Sequence, residues 1–175
     1  GFEALKSAGH DGDIDYARSL LVERLALAAE LADSYRVRLA FEPLHPMVCG
    51  FRSIVSTLQE SLDILDQMDD SHDIGLAIDT YALWWEHDLQ EKLKRAGRRI
   101  LNYHVSDWLA DTKDLRLDRG MPGDGQIALC DWRHMIEAAG YFGPIEVEIF
   151  SRDRWWKTPA EKMIEEIIQR MNSAF

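Results

Sequence analysis

Four short, mostly apolar segments alternate along the chain with longer segments whose apolar residues recur at helical spacing. Such a pattern predicts buried strands separated by amphipathic helices. No two successive strands are joined by a hairpin turn, so each is expected to reach the next through a helix and to run parallel to it. Each predicted strand carries, at or near its end, one side chain that is able to bind a metal: Glu42, Asp79, His104 and Glu148.

Residues that commonly cap helices, and glycines that commonly end them, mark the predicted helix boundaries. The expected boundaries are Ile14 to about Leu31 for the first helix, Ser53 as the cap of the second, Asp88 and Gly97 for the third, Asp131 and Gly140 for the fourth, and the capping box Thr158-Pro159-Ala160-Glu161 for the last.

Alternating helices and parallel strands are compatible with two architectures, an open doubly wound sheet or part of a (β/α)8 barrel. No glycine-rich phosphate motif follows any predicted strand, which weakens a nucleotide-binding version of the open sheet. A complete barrel needs eight strands and about 250 residues. With 175 residues and four predicted strands, the chain is expected to form one α/β domain over residues 1–175 that corresponds to half of such a barrel.

The composition limits the classes of partner. A formal charge of -11 argues against general binding to nucleic acid or to an anionic membrane surface, since both require basic patches. No apolar run approaches the ~20 residues of a membrane span, and no signal peptide is visible. The two cysteines, Cys49 and Cys130, have no metal-ligand spacing and fit a reducing compartment. A cytoplasmic enzyme or binding protein is therefore expected.

The four strand-end side chains are best explained together. A single strand-end carboxylate usually caps a helix or accepts hydrogen bonds from loop amides. In parallel α/β folds, however, the carboxyl ends of the strands meet where ligands bind. Carboxylates brought together there repel one another unless a cation lies among them. Three carboxylates and one imidazole suit a divalent Mn, Mg, Co or Zn ion.

Several loop residues are candidates for contacting a substrate at the same edge of the sheet. The segment RGMPGDG, residues 119–125, requires tight turns and contains Arg119, which suits an oxygen-rich substrate. Asp107, three residues after His104, is placed either to orient its ring or to contact the substrate. His45 and Trp108 are further candidates for substrate binding. The Trp pairs at 84–85 and 155–156 are more typical of packing or an interface.

The chain resembles the C-terminal half of the xylose isomerase-like TIM-barrel superfamily, the group of sugar isomerases and epimerases. The resemblance covers about Val37 to Trp156 and depends on five ordered motifs: LAFEPLHP, GLAIDTY, NYHVSDW, RGMPGDGQI and AAGYFGPIEVEIF. The order and spacing of the motifs are more specific than any one of them.

The resemblance implies that Glu42, Asp79, His104 and Glu148 bind one divalent metal. It also implies that Glu42 and Glu148 are an acid/base pair on opposite faces of the substrate, and that Arg119 contacts the substrate. The expected reaction moves a proton of a sugar or sugar phosphate through a metal-stabilised enediolate. Epimerisation, aldose–ketose isomerisation and dehydration of the inosose type all remain open.

Two departures from the family pattern affect these expectations. Family members commonly carry a substrate-contacting histidine three residues after the strand-end Asp, and here that residue is Ala82. The other departure is the missing first half of the barrel, which would leave two strand edges unpaired. Either the sequence is a fragment or two copies pair as a homodimer.

A non-catalytic, metal- or ligand-binding remnant of the family is the main alternative. The nuclease branch of the superfamily is disfavoured, because it needs more histidine ligands than can be placed here and usually a basic groove, which the charge of -11 argues against.

Overall fold

The computed structural model describes residues 9–49, 52–69 and 72–174, in which helices alternate with the strands of a single sheet. The helices are α1 (Ile14–Ser34), α2 (Leu58–Leu65), α3 (Thr80–Leu83), α4 (Leu89–Ala96), α5 (Leu129–Ala138) and α6 (Ala160–Ala174), and the strands are β1 (Leu39–Phe41), β2 (Ile74–Asp79), β3 (Ile100–Val105) and β4 (Ile145–Val147). Short 3-10 helices cover Pro46–Val48, Gly97–Arg99 and Trp155–Lys157.

The sheet has the predicted parallel topology, with the strands in the order β1-β2-β3-β4. The chain therefore has an α/β fold in which each strand pairs with the next one in sequence, as in part of a TIM barrel. Asp79 pairs with His104 across β2 and β3, and His104 pairs with Glu146 across β3 and β4. Strands β1 and β4 form the two edges of this sheet among the described residues.

The apolar core lies between the sheet and the helices that connect its strands. Alternate residues of the two central strands, such as Ile78 and Val105, are fully buried on this side. The other alternate residues point to the opposite face, which carries the predicted metal-binding side chains. The core consists mainly of Leu58, Leu62, Leu65, Leu76, Ile78, Leu83, Leu93, Ile100, Tyr103, Val105, Trp132 and Ile136.

Two of the predicted helix caps are wrong. Helix α2 is capped by Thr57, whose hydroxyl accepts from the N–H of Glu60 at 3.0 Å, while the Glu60 carboxylate accepts from the Thr57 hydroxyl. Ser53 instead forms a local turn in which its hydroxyl accepts from the N–H of Val55. Helix α5 begins after Ala128, so Asp131 lies within its first turn.

The other predicted boundaries agree more closely with the structure. Helix α1 begins at Ile14, and the Asp13 side chain accepts from the N–H of Tyr16. Asp88 occupies the N-cap position of α4 without a capping hydrogen bond from its side chain, and Gly97 follows the last residue of that helix. Within the described ranges, no helix is both long and apolar enough to cross a bilayer.

Candidate functional site

Three of the four predicted metal ligands meet at the carboxyl edge of the sheet. Glu42 directly follows β1, His104 lies in β3, and Glu148 directly follows β4. One potential ligand atom of each side chain lies within 4.8 Å of the other two. All three side chains are partly buried. The parallel strands therefore bring together residues that are separated by up to 106 positions in the sequence.

Asp79 lies at the same edge but is engaged by other protein groups. Its Oδ1 accepts from the N–H of Tyr81 at 2.9 Å, which caps α3, and its Oδ2 accepts from Arg119 at 2.9 Å. The residue is fully buried. Both oxygens of the Asp79 carboxylate thus already accept a hydrogen bond from the protein, one from the capped helix and one from Arg119. The assignment of Asp79 as a fourth metal ligand therefore stays a prediction.

Arg119 connects two of the strand ends. Its Nη1 donates to Asp79 and to Oε2 of Glu148, each at 2.9 Å, and also lies 3.3 Å from the Ser106 hydroxyl. The guanidinium carbon lies 4.4 Å from the ring centre of Tyr81 and 5.0 Å from that of Phe150. Two carboxylates and two aromatic rings thus fix the position of the guanidinium group.

The carboxylates that meet here create a strong local field. Burial raises the pKa of Glu42, and the nearby charges of Asp79 and Glu148 raise it further, to about 7 from an ordinary value of 4.5. His104 and Arg119 partly offset this effect. Ionising Glu42 in this setting is therefore unfavourable, and a cation placed among the carboxylates would make it favourable.

The imidazole of His104 supplies an independent test of whether the site suits a metal. Its Nδ1 is buried and has no hydrogen-bond partner among the described residues. A buried ring nitrogen without a partner is costly unless a ligand engages it. One ligand atom of His104 lies within 4.8 Å of a carboxylate oxygen of Glu42 and of Glu148, so the three side chains give a mixed nitrogen and oxygen donor set that fits a divalent transition metal.

An aromatic wall, formed by His45, Tyr81, Trp84, Trp85 and Trp108, borders the site. The ring centres of His45 and Trp108 are 4.8 Å apart, and those of Trp108 and Tyr81 are 4.7 Å apart. Nδ1 of His45 accepts from the N–H of Met47 at 3.2 Å, so the ring proton lies on Nε2. Burial lowers the pKa of His45, and the positive charge of Arg119 lowers it further.

Asp107 has a different environment from the one that its sequence position suggests. It is almost fully buried, and its carboxylate accepts from four backbone N–H groups, those of Trp108, Gly123, Gly125 and Ile127, at 2.8–3.1 Å. These bonds organise the loop that follows Arg119. The tight turns expected there are confirmed by a φ of +88° at Gly123 and by Gly125, where an added Cβ would lie 2.2 Å from the Trp108 carbonyl oxygen.

The family model of the xylose isomerase-like TIM barrel matches residues 4–174. The chain belongs to this family. The resemblance seen in the sequence motifs is thereby confirmed, and so is the expected kind of fold.

Solved structures extend the comparison. Protein SMc04130 of Sinorhizobium meliloti 1021 is 45% identical with a TM-score of 0.89, over 93% of this chain and 59% of that one. The IolI protein, solved with a bound zinc atom, is 24% identical with a TM-score of 0.76, over 90% and 55%. The 3-keto-D-glucoside 4-epimerase YcjR of E. coli is 18% identical with a TM-score of 0.67, over 91% and 55%.

The latter two similarities show the fold alone. The chain spans little more than half the length of these three structures. A search of the curated proteins finds no match.

Within this family pattern, the departure at Ala82 has a clear structural setting. The residue lies in α3, is 3% exposed and packs in the apolar core. Its carbonyl oxygen accepts from Nε1 of Trp85 at 2.7 Å. Beyond the end of β2, the site is therefore bordered by the aromatic wall and not by the side chain of residue 82, which is buried in the core.

Sequence reasoning missed the two rings that enclose Arg119. Tyr81 follows Asp79 by two residues, and Phe150 follows Glu148 by two residues. The signal was therefore present as a shared spacing, an acidic strand end with an aromatic residue two positions later. This spacing alone does not reveal that both rings pack against Arg119, which is 38 positions from Tyr81 and 31 positions from Phe150 in sequence.

Proposed function

We propose that the chain provides the metal-binding half of a divalent metal-dependent sugar isomerase or epimerase. The observation that carries this proposal is the convergence of Glu42, His104 and Glu148, with one ligand atom of each within 4.8 Å of the others. Membership of the xylose isomerase-like family supports it. So do similar solved structures, which include D-psicose 3-epimerase and L-ribulose 3-epimerase.

The residues that would hold the ion are Glu42, His104 and Glu148, with Asp79 as a fourth ligand. Mn, Mg, Co and Zn are the candidates, because the donor set mixes carboxylate oxygens with one imidazole nitrogen. When bound, such an ion polarises a carbonyl oxygen and acidifies the hydrogen on the neighbouring carbon.

In this proposal the protein moves the proton with its two glutamates. Glu42 and Glu148 extend from the two edge strands, so a substrate held between them presents a different face to each. Among the described residues, the Glu42 carboxylate accepts no hydrogen bond, whereas the Glu148 carboxylate accepts one from Arg119. Removal of a proton by one glutamate and its return by the other gives epimerisation. Return to the neighbouring carbon gives isomerisation.

Arg119 has a second task in this proposal. Its Nε is buried and has no hydrogen-bond partner among the described residues, so this donor is available for a substrate oxygen. A fixed positive group beside the reacting carbon stabilises negative charge that develops on the substrate. The indole ring of Trp108 would contact the apolar face of a sugar or polyol, and the imidazole of His45 lies beside it, with ring centres 4.8 Å apart. Asp107 would act indirectly, by holding the loop that follows Arg119.

A non-catalytic remnant that binds metal or ligand is a second candidate. It is favoured by Ala82, whose methyl group is buried in the core at a position where family members commonly carry a substrate-contacting histidine. Binding of one metal per chain without proton exchange on any ketose would support the remnant over the enzyme. Loss of a hydroxyl group during the reaction would identify a dehydratase of the inosose type.

The proposal also includes the assembly and the surroundings of the chain. The edges at β1 and β4 and the exposed side chains of Leu31, Ile164 and Ile168 support a homodimer in which two half-barrels pair. A monomeric mass by light scattering would contradict this assembly. The charge of -11 supports a function without nucleic acid or membrane, and two free cysteines support a cytoplasmic location.

The experiment that tests the function is the metal content of protein purified without added metal, measured by elemental mass spectrometry for the wild type and Glu148→Gln. About one Mn, Co, Zn or Mg per chain is expected in the wild type and a strong loss in the variant. Ketoses would then be screened for exchange of a carbon-bound proton with solvent. A wild-type protein that takes up no metal after soaking with Mn²⁺ would refute the proposal.

A further inference from the structure

Glu146 lies beside His104 on the face of the sheet that carries the candidate site. The parallel pairing of β3 and β4 places these two residues opposite each other. Glu146 precedes Glu148 by two residues, and alternate residues of a strand point to the same face. Its carboxylate therefore lies further from the carboxyl edge of the sheet than that of Glu148, next to the imidazole.

The contacts of Glu146 indicate what it does. Oε2 of Glu146 lies 3.9 Å from Nε2 of His104, and Oε1 accepts from Nδ2 of Asn102 at 3.2 Å. Asn102 and His104 are also two residues apart on one strand. The Asn102 amide therefore contacts the carboxylate on the side that faces away from the carboxyl edge of the sheet. The glutamate side chain is 57% exposed, which leaves it free to rotate by the small amount that would bring Nε2 within hydrogen-bond distance.

The two ring nitrogens of His104 thus have unequal surroundings. Nε2 faces a carboxylate, while Nδ1 is buried and has no hydrogen-bond partner in the described part of the chain. A carboxylate beside one ring nitrogen favours the tautomer that carries its proton there, and the other nitrogen keeps a lone pair. Metal-binding histidines in proteins are commonly oriented in this way.

We propose that Glu146 is a positioning residue that fixes the tautomer and orientation of His104. By accepting the Nε2 proton it keeps Nδ1 unprotonated and available to a metal ion. The sequence offered this task as one of two for Asp107, but the Asp107 carboxylate accepts hydrogen bonds from four backbone amides of a loop. The proposal rests on the proposed metal-dependent function for its purpose, but the tautomer itself is measurable without metal.

The test compares the wild type with Glu146→Gln, and uses Glu165→Gln on the exposed surface of α6 as a matched control. Long-range proton–nitrogen NMR spectra of ¹⁵N-histidine-labelled protein at pH 8, without metal, report which ring nitrogen carries the proton. The variant His104→Asn identifies the signal. Circular dichroism confirms that each variant is folded, and Zn²⁺ binding is measured by titration calorimetry.

We expect His104 to be protonated at Nε2 in the wild type and in Glu165→Gln, and to be a mixture of tautomers in Glu146→Gln. Zn²⁺ affinity should fall about tenfold in Glu146→Gln alone. Glu146→Asp, which keeps the charge, should retain much of the wild-type tautomer and affinity. If Glu146→Gln does not fold, Glu146→Asp and Asn102→Ala take its place, with a partial shift of the tautomer expected.

Either of two results would overturn the proposal: wild-type His104 protonated mainly at Nδ1, or an unchanged tautomer and Zn²⁺ affinity in Glu146→Gln. These results differ from a failure of the proposed function. If wild-type protein binds no Zn²⁺ while Glu146 still controls the tautomer, the positioning role stands and the metal-dependent function falls. If Zn²⁺ binds and the tautomer is independent of Glu146, the reverse holds.

Discussion

Replacing Glu42 with Gln should make the metal-free protein more stable while removing its capacity to bind metal. The side chain is partly buried among like charges, which raises its pKa from 4.5 to about 7. That difference corresponds to about 3 kcal/mol of unfavourable free energy when the carboxylate is ionised. Partial exposure to solvent reduces the cost, so we expect a gain of about 2 kcal/mol from the neutral amide.

The pH dependence gives this prediction its sign. Because the pKa of Glu42 is higher in the folded than in the unfolded state, the folded protein binds more protons between pH 4.5 and about 7. The contribution of Glu42 to the unfolding free energy therefore decreases as pH rises through this window. Glu42→Gln should match the wild type near pH 4.5 and exceed it by the full amount at pH 8.

Urea unfolding followed by tryptophan fluorescence, in the presence of a chelator, measures the difference at both pH values. Glu165→Gln, on the exposed surface of α6, is the matched control and should show no such pH-dependent gain. Adding Mn²⁺ at pH 8 should raise the midpoint of the wild type and leave that of Glu42→Gln unchanged. A variant that is less stable than the wild type at pH 8, or equally stabilised at both pH values, would refute the reasoning.

Three further substitutions test other parts of the structure. Asp107→Asn replaces an acceptor of four amides by a group with a single acceptor oxygen, and should cost about 2–4 kcal/mol in urea unfolding and speed amide exchange at Ile127. Glu86→Ala removes a buried carboxylate that accepts from the N–H of Leu58 at 2.7 Å, and should cost about 2 kcal/mol, measured as a lower unfolding midpoint. Arg119→Lys keeps the charge but not the planar group between two rings, and should lower kcat/KM for proton exchange at least tenfold; unchanged kinetics would contradict the assigned role.

The sheet and its strand ends were predictable because they depend on local patterns. Short apolar runs separated by amphipathic helices require parallel crossovers, and parallel strands align their carboxyl ends. This reasoning correctly located Asp79 and His104 as neighbours. It failed at Ser53, where a local turn with Val55 competes with helix capping and the capping box at Thr57 lies four residues later.

The partners of the site residues were harder to predict because they depend on long-range register. Asp107 was an apparent partner of His104 through its proximity in sequence, yet its carboxylate binds loop amides up to 20 residues away. Glu146 faces His104 only because β3 and β4 pair in one particular register. The pairing of Arg119 with Asp79 joins groups 40 residues apart, which no periodicity reveals.

The positions of Glu42 and Glu148 at opposite edges of the sheet imply strong curvature. Neighbouring strands lie about 4.8 Å apart, so β1 and β4 would be separated by about 14 Å in a flat sheet. The ligand atoms of the two glutamates nevertheless lie within 4.8 Å of each other. The length of the side chains covers part of the difference, and bending of the sheet covers the rest. The distance between the two carboxylates therefore depends on the curvature of the sheet. A partner that joins either edge, or a change in the helix layer that flattens the strands, would change the distance between the two carboxylates, and with it the proposed affinity for a cation, without contacting either glutamate.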